Sequence, residues 1–174
     1  MKQLLHRIIT PILSLLAIAS CASNPPLETV RKVDIDQYLG RWYEIARLPN
    51  SFQKNCDCTT AEYSLIDSTT IRVINKCIKN GEPDQAAGKA FVVEGSNNSK
   101  LRVQFFWPFR GDYWIIELDP LYKYAVVGTP SRKYLWILSR FPKLDDETKK
   151  QLLEQIKSKG FDISQLIYTK QECI

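Results

Sequence analysis

The stretch KLRVQFFWPFRGDYWIIELDPLYKYAVVGTPSRKYLWILSR, residues 100–140, decides the fold. It holds four short runs in which apolar and polar residues alternate: KLRVQFF (100–106), DYWIIEL (112–118), YKYAVVG (122–128) and KYLWILSR (133–140). The links WPFRG, DP and TPS are rich in turn residues. A half-buried strand needs this period of two, because successive side chains leave opposite faces of a pleated sheet. Working outward, the same pattern covers RWYEIARL (41–48), TTAEYSLI (59–66), TIRVINKC (70–77) and AGKAFVVE (87–94), with KNGEPDQ and GSNNS among the connections. Eight strands in a row form an antiparallel meander with two edges to protect. Closing the sheet into an up-and-down barrel removes both.

Helical periodicity is confined to residues 145–159, where Asp145 can cap the start and Leu152, Leu153 and Ile156 make one apolar stripe. Gly160 then stops the helix. A last strand is expected at 164–169 (SQLIYT), leading to Cys173. The predicted fold is all-β: an eight-stranded antiparallel up-and-down β-barrel with one C-terminal α-helix packed outside and a short final strand.

The barrel domain is expected to occupy residues 35–174. Ahead of it, residues 1–20 carry Lys2 and Arg7 at the front and an apolar run too short to span a bilayer, the pattern of an export signal. Ile18-Ala19-Ser20-Cys21 resembles the bacterial lipobox, which implies that Cys21 receives a lipid and that residues 21–34 form a tether. Ala22, where such proteins would carry Asp for inner-membrane retention, implies the outer membrane, with a lipid-anchored domain facing the periplasm.

Without the leader, the 24 basic residues lose Lys2 and Arg7, leaving 22 against 19 acidic, a net of +3 with scattered basic residues. That argues against a nucleic-acid partner. The single histidine, His6, goes with the leader. Histidine-based triads and metal sites within one chain are thereby excluded from the remainder. Nothing in the sequence suggests a cofactor or a metal.

Four further cysteines follow Cys21. Cys56 and Cys58 are too close in an extended chain to bridge each other without strain, so each looks to Cys77 or Cys173, and spacing does not choose between the two pairings. A four-cysteine zinc site is the alternative, against which export favours disulfides.

Three separated motifs, GRWYE (40–44), LDPLYKYAVV (118–127) and WILSR (136–140), resemble those of the lipocalins in order and spacing. The likeness is closest to the bacterial outer-membrane lipoprotein lipocalins and the related apolipoprotein D group, to which INK (74–76) and GFDISQ (160–165) also correspond. The resemblance implies that Gly40, Trp42, Asp119 and Arg140 are structural, with the Arg140 guanidinium laid across the Trp42 indole. Glu44 and Asp119 are expected near the closed end, satisfying local backbone donors. It further implies a Cys58–Cys173 bridge, leaving Cys56 to Cys77.

By alternation the inward face is expected to include Ala46, Ala61, Tyr63, Leu65, Val73, Asn75, Val103, Phe105, Tyr113, Tyr124, Trp136 and Leu138. Of these, Ala46, Tyr63, Val73, Asn75, Val103, Phe105, Tyr113, Tyr124, Trp136 and Leu138 are the candidate ligand contacts. The lining is mostly apolar with a few hydroxyl or amide tips, which suits a hydrophobic ligand held by its tail. The resemblance names the class as fatty acids or lysophospholipids, bound, stored or carried in membrane maintenance, without catalysis. Counting strands also puts Trp107, Phe109 and Arg110 at the open rim, beside Arg132 and Lys133, as a candidate membrane contact. A homodimer through the rim, a lipocalin-fold enzyme using Glu44, Asp119 or a thiol, and a filled barrel serving as an interaction protein are the alternatives.

Overall fold

In this computed structural model residues 25–173 are described; the leader, Cys21 and the first few residues of the expected tether lie outside them. Eight strands close the barrel: β1 (Gly40–Arg47), β2 (Cys56–Leu65), β3 (Thr70–Lys79), β4 (Glu82–Val92), β5 (Lys100–Gln104), β6 (Gly111–Leu118), β7 (Tyr124–Gly128) and β8 (Leu135–Ser139). Each pairs antiparallel with its neighbour, and β1 pairs with both β8 and β2, so the sheet closes on itself. Helix α1 (Ile35–Tyr38), capped by Asp34, crosses the closed end just before β1.

Two apolar cores follow from this arrangement. One fills the barrel and includes Tyr38, Trp42, Tyr63, Ile71, Leu101, Ile115 and Val127. The other lies outside, where Leu152 and Ile156 of α2 (Asp146–Ser158) cover Ile116, Val126, Leu135 and Ile137. Asp145 caps α2 by accepting from the Thr148 amide, and the helix gives way at Gly160, whose φ of +86° suits glycine. The helix predicted at 145–159 is thus present, including its cap residues.

β2, β3 and β4 are longer than the alternation suggested, whereas β5, β7 and β8 are shorter. KNGEPDQ is no loop: β3 and β4 run on to a two-residue turn at Asn80-Gly81, both with positive φ (54° and 88°). This is the Asn-Gly hairpin geometry whose twist matches the flanking strands. Pro83 is tolerated because β5 reaches only Lys89–Val92 of β4, leaving the upper edge unpaired.

Residues 25–34, expected as a tether, pack on the barrel instead. Leu27 joins the outer core, the Val30 amide donates to the Ile115 carbonyl, and Val33 is fully buried. At the other terminus, a 3-10 turn (Ile163–Gln165) precedes β9 (Ile167–Tyr168), which is shorter than the strand expected there. β9 pairs with Ala46 and Arg47 of β1, above the point where β1 stops pairing with β2. The tail continues into that gap: the Cys58 amide donates to the Lys170 carbonyl, and the Gln171 amide group donates to the carbonyls of Glu44 and Thr59. Disulfides Cys56–Cys77 and Cys58–Cys173 fasten the region, in the pairing implied by the family resemblance.

Candidate functional site

At the closed end the guanidinium of Arg140 lies 3.8 Å from the centre of the Trp42 ring. It donates to the carbonyls of Gln37 (2.6 Å), Arg41 (2.8 Å) and Tyr122 (3.3 Å), tying α1, β1 and the β6–β7 turn together. The Trp42 indole N–H donates to the Tyr38 carbonyl. Asp119 accepts from the amides of Leu121 and Lys123, so it is a turn-forming residue. All of this closes the bottom of the barrel and offers no reactive group.

Above the plug the barrel changes character. The ladder Ala61–Asn75–Ala86 lies one step toward the mouth from Tyr63–Val73–Gly88. Ile71, Leu101, Ile115 and Val127, lower down, are sealed from solvent. Asn75, Gly88, Val103, Phe105 and Trp136 are only half-buried, and Ala86, although it faces inward, is exposed. Inward-facing apolar residues reached by solvent define a cup in the upper half of the barrel, open at the end bearing the β5–β6 loop.

Its floor is polar. Tyr63 on β2 and Tyr113 on β6 come from strands four apart around the eight, hence from opposite walls, and their hydroxyls meet at 2.9 Å. Tyr38 rises from α1 to place its hydroxyl 2.8 Å from that of Tyr113. Burial raises all three phenols above their ordinary range, Tyr63 to about 12, so each is a protonated hydroxyl at neutral pH.

Of the expected lining, Tyr63, Val73, Tyr113 and Leu138 belong to the inner core, Val103, Phe105 and Trp136 pack against it, and Asn75 faces in between Ala61 and Ala86. Two expected residues face the other way. Ala46 belongs to the outer core, because a β-bulge between Glu44 and Ala46 inserts a residue and reverses the alternation of β1. Tyr124 also packs outside; Ala125 and Val127 take the inward positions of β7. Leu65 ends β2 at the closed end, 46% exposed, away from the cup.

Glu44 is also placed differently from expectation. Midway up the wall, it is 2% exposed and receives hydrogen bonds from the side chains of Arg47, Gln53 and Thr169, with Arg47 at 3.2 Å. Burial nevertheless pushes its carboxyl above the ordinary glutamate range, outweighing those donors. Gln53 links it onward, accepting from the Trp136 indole at 2.8 Å, so the β1–β2 loop is tied to the cup wall. Gln53 carried no sequence signal. Tyr38 did, since Asp34 is a recognisable helix cap just before it.

At the rim Phe106, Trp107 and Phe109 are 78%, 86% and 77% exposed. Arg110 lies over the Phe91 ring at 4.1 Å. Arg132, expected beside the mouth, donates instead to the carbonyls of Pro25, Pro130 and Lys159 and so faces the helix side. A separate cleft of about 590 Å³ beside the mouth, lined by residues such as Asn50, Lys54, Asp57 and Ile167, includes none of the cup residues. The aromatic and aliphatic cup is the better place for a hydrophobic ligand.

Comparison with known proteins agrees with this architecture. Residues 33–171 match the model of the lipocalin-like domain. The chain is 39% identical over 173 residues to the outer membrane lipoprotein Blc of Escherichia coli, covering 97% of this chain and 98% of that one. It is 42% identical over 154 residues to temperature-induced lipocalin-1 of Arabidopsis thaliana, covering 83% of each. Among solved structures, insecticyanin of the tobacco hornworm Manduca sexta superposes with a TM-score of 0.70 at 26% identity, over 85% of this chain and 86% of that one. From its closed barrel to its sequence relatives, the chain belongs to the lipocalin family.

Proposed function

We propose that this protein is a lipid-anchored carrier of the bacterial outer membrane that takes up the acyl chain of a fatty acid or lysophospholipid, without catalysing a reaction on it. The observation that carries this is the cup: an apolar lining open to solvent above a sealed floor. Each methylene moved from water into such a lining gains ~0.8 kcal/mol, so affinity can rise with chain length and needs no strong polar contact. The carboxylates that an enzyme reading would use are committed, Asp119 to its turn and Glu44 to three side chains. The thiols of Cys56, Cys58, Cys77 and Cys173 are consumed in disulfides.

The anchor reading rests on Cys21 within Ile18-Ala19-Ser20-Cys21 and on the likeness to a protein named an outer membrane lipoprotein. With Cys21 tethered, Trp107 and Phe109 form an apolar rim that can rest on lipid, with Arg110 beside the phosphates. Native mass spectrometry of the gently purified barrel tests the carrier reading. A copurified acyl lipid, displaced by added lysophospholipid, is the expected result. A bare protein that takes up no lipid at tens of micromolar would end it in favour of a filled barrel.

A further inference from the structure

The hydroxyls of Tyr38, Tyr113 and Tyr63 form a chain of two hydrogen bonds at the barrel axis. Three hydroxyls bring three protons, and two bonds use two of them. Whichever way the bonds run, one O–H is left without an acceptor inside the chain. A buried donor left unmatched is costly, and in two of the three arrangements it belongs to Tyr63 or Tyr113, where it calls for a partner from the cup side. Tyr63 and Tyr113, 4% and 8% exposed, stand at the boundary between the sealed lower half and the open cup.

The charge around the floor narrows the partner. Arg140 is the cation whose field reaches Tyr38 and Tyr63, but its guanidinium is stacked on Trp42 and bonded to the carbonyls of Gln37, Arg41 and Tyr122. A carboxylate brought to the floor would find a hydroxyl proton and no direct ion partner among these groups, a poor exchange for its hydration. A neutral oxygen needs only the hydrogen bond. A plain methyl end leaves the O–H unmatched.

From this we infer that the tyrosine floor selects acyl chains whose buried end carries a neutral oxygen, a hydroxyl or ketone, over chains ending in methyl. The inference rests on the carrier reading above and specifies which chains the cup prefers. It assigns the floor hydroxyls of Tyr63 and Tyr113 as specificity determinants. The ionised head of such a chain stays at the mouth, and the oxygen at its far end meets the floor.

Matched probes test it: unsubstituted fatty acids of about 10 to 16 carbons and their ω-hydroxy counterparts, titrated calorimetrically into the barrel and into Tyr113→Phe and Tyr63→Phe. In a purely apolar cavity the added hydroxyl weakens binding at every length, because its desolvation is uncompensated. Here, at the length that reaches the floor, the wild type is expected to bind the ω-hydroxy acid at least as tightly as its parent. The Phe variants should lose roughly five- to tenfold for that probe, the worth of one hydrogen bond, and nothing for the unsubstituted acid. Comparing the two probes within each variant cancels any general change in cup shape. An ω-hydroxyl penalty equal in wild type and both variants, or equal losses for both probes, overturns the inference and leaves the carrier reading standing. A wild type that binds neither series refutes the carrier reading itself.

Discussion

Replacing Arg140 with lysine keeps the charge but removes the plane. The guanidinium sits 3.8 Å from the Trp42 ring centre and makes three hydrogen bonds to carbonyls of three different segments. Lysine offers a point charge that cannot stack and reach Gln37, Arg41 and Tyr122 together. Losing most of the stacking costs about 1 kcal/mol, and losing two of the three bonds about 1 kcal/mol each, since these carbonyls lie where water can partly replace the donor. The sum of about 3 kcal/mol should lower Tm by roughly 6–12 °C for a domain of this size. Thermal and urea unfolding with the disulfides intact measures it. A double-mutant cycle with Trp42→Leu should give a coupling of about 1 kcal/mol or more. An Arg140→Lys barrel within about 0.5 kcal/mol of wild type would refute the view that this stack holds the closed end together.

Glu44 gives a pH signature of definite sign. Its folded carboxyl holds its proton to a higher pH than in the unfolded chain, so its contribution is present below the ordinary value of 4.5 and is lost as pH rises through the folded value. Glu44→Gln should flatten the fall in unfolding free energy across that window; an unchanged slope would assign the titration elsewhere. Gly128→Ala would put a Cβ 2.6 Å from the Phe161 ring and 3.2 Å from Ile116, and is expected to cost about 1–3 kcal/mol of stability in denaturant melts. Cys58→Ser with Cys173→Ser should cost about 2–5 kcal/mol and expose the tail after Tyr168 to rapid hydrogen exchange, while exchange in β5–β7 stays slow. Trp107→Ala with Phe109→Ala should reduce cosedimentation of the barrel with anionic vesicles several-fold and leave fatty-acid binding in solution intact.

The barrel was legible wherever one face of a strand is wet, because only there does sequence alternation record which side chain goes in. KLRVQ and TIRVIN kept that record, and Val73, Asn75, Val103 and Phe105 face inward as expected. It fails on β7, where α2 covers the outer face and AVV is buried on both sides; with no polar residue to mark the phase, Tyr124 and Ala125 exchange roles. It fails again at Ala46, where a single bulged residue leaves the composition unchanged and reverses every later position of β1. The helix was legible through its caps. The tyrosine floor was only half visible: Tyr63 and Tyr113 could be assigned to the inside, but their meeting across the axis and the arrival of Tyr38 depend on barrel closure, which no local window encodes.

Because the tail after Ile167 fills the opening between β1 and β2, the vessel has a lengthwise slit that its own last residues zip shut. Until Cys173 reaches Cys58, 115 positions earlier, the side wall stays unlaced, so the integrity of the vessel depends on a contact between two distant parts of the chain.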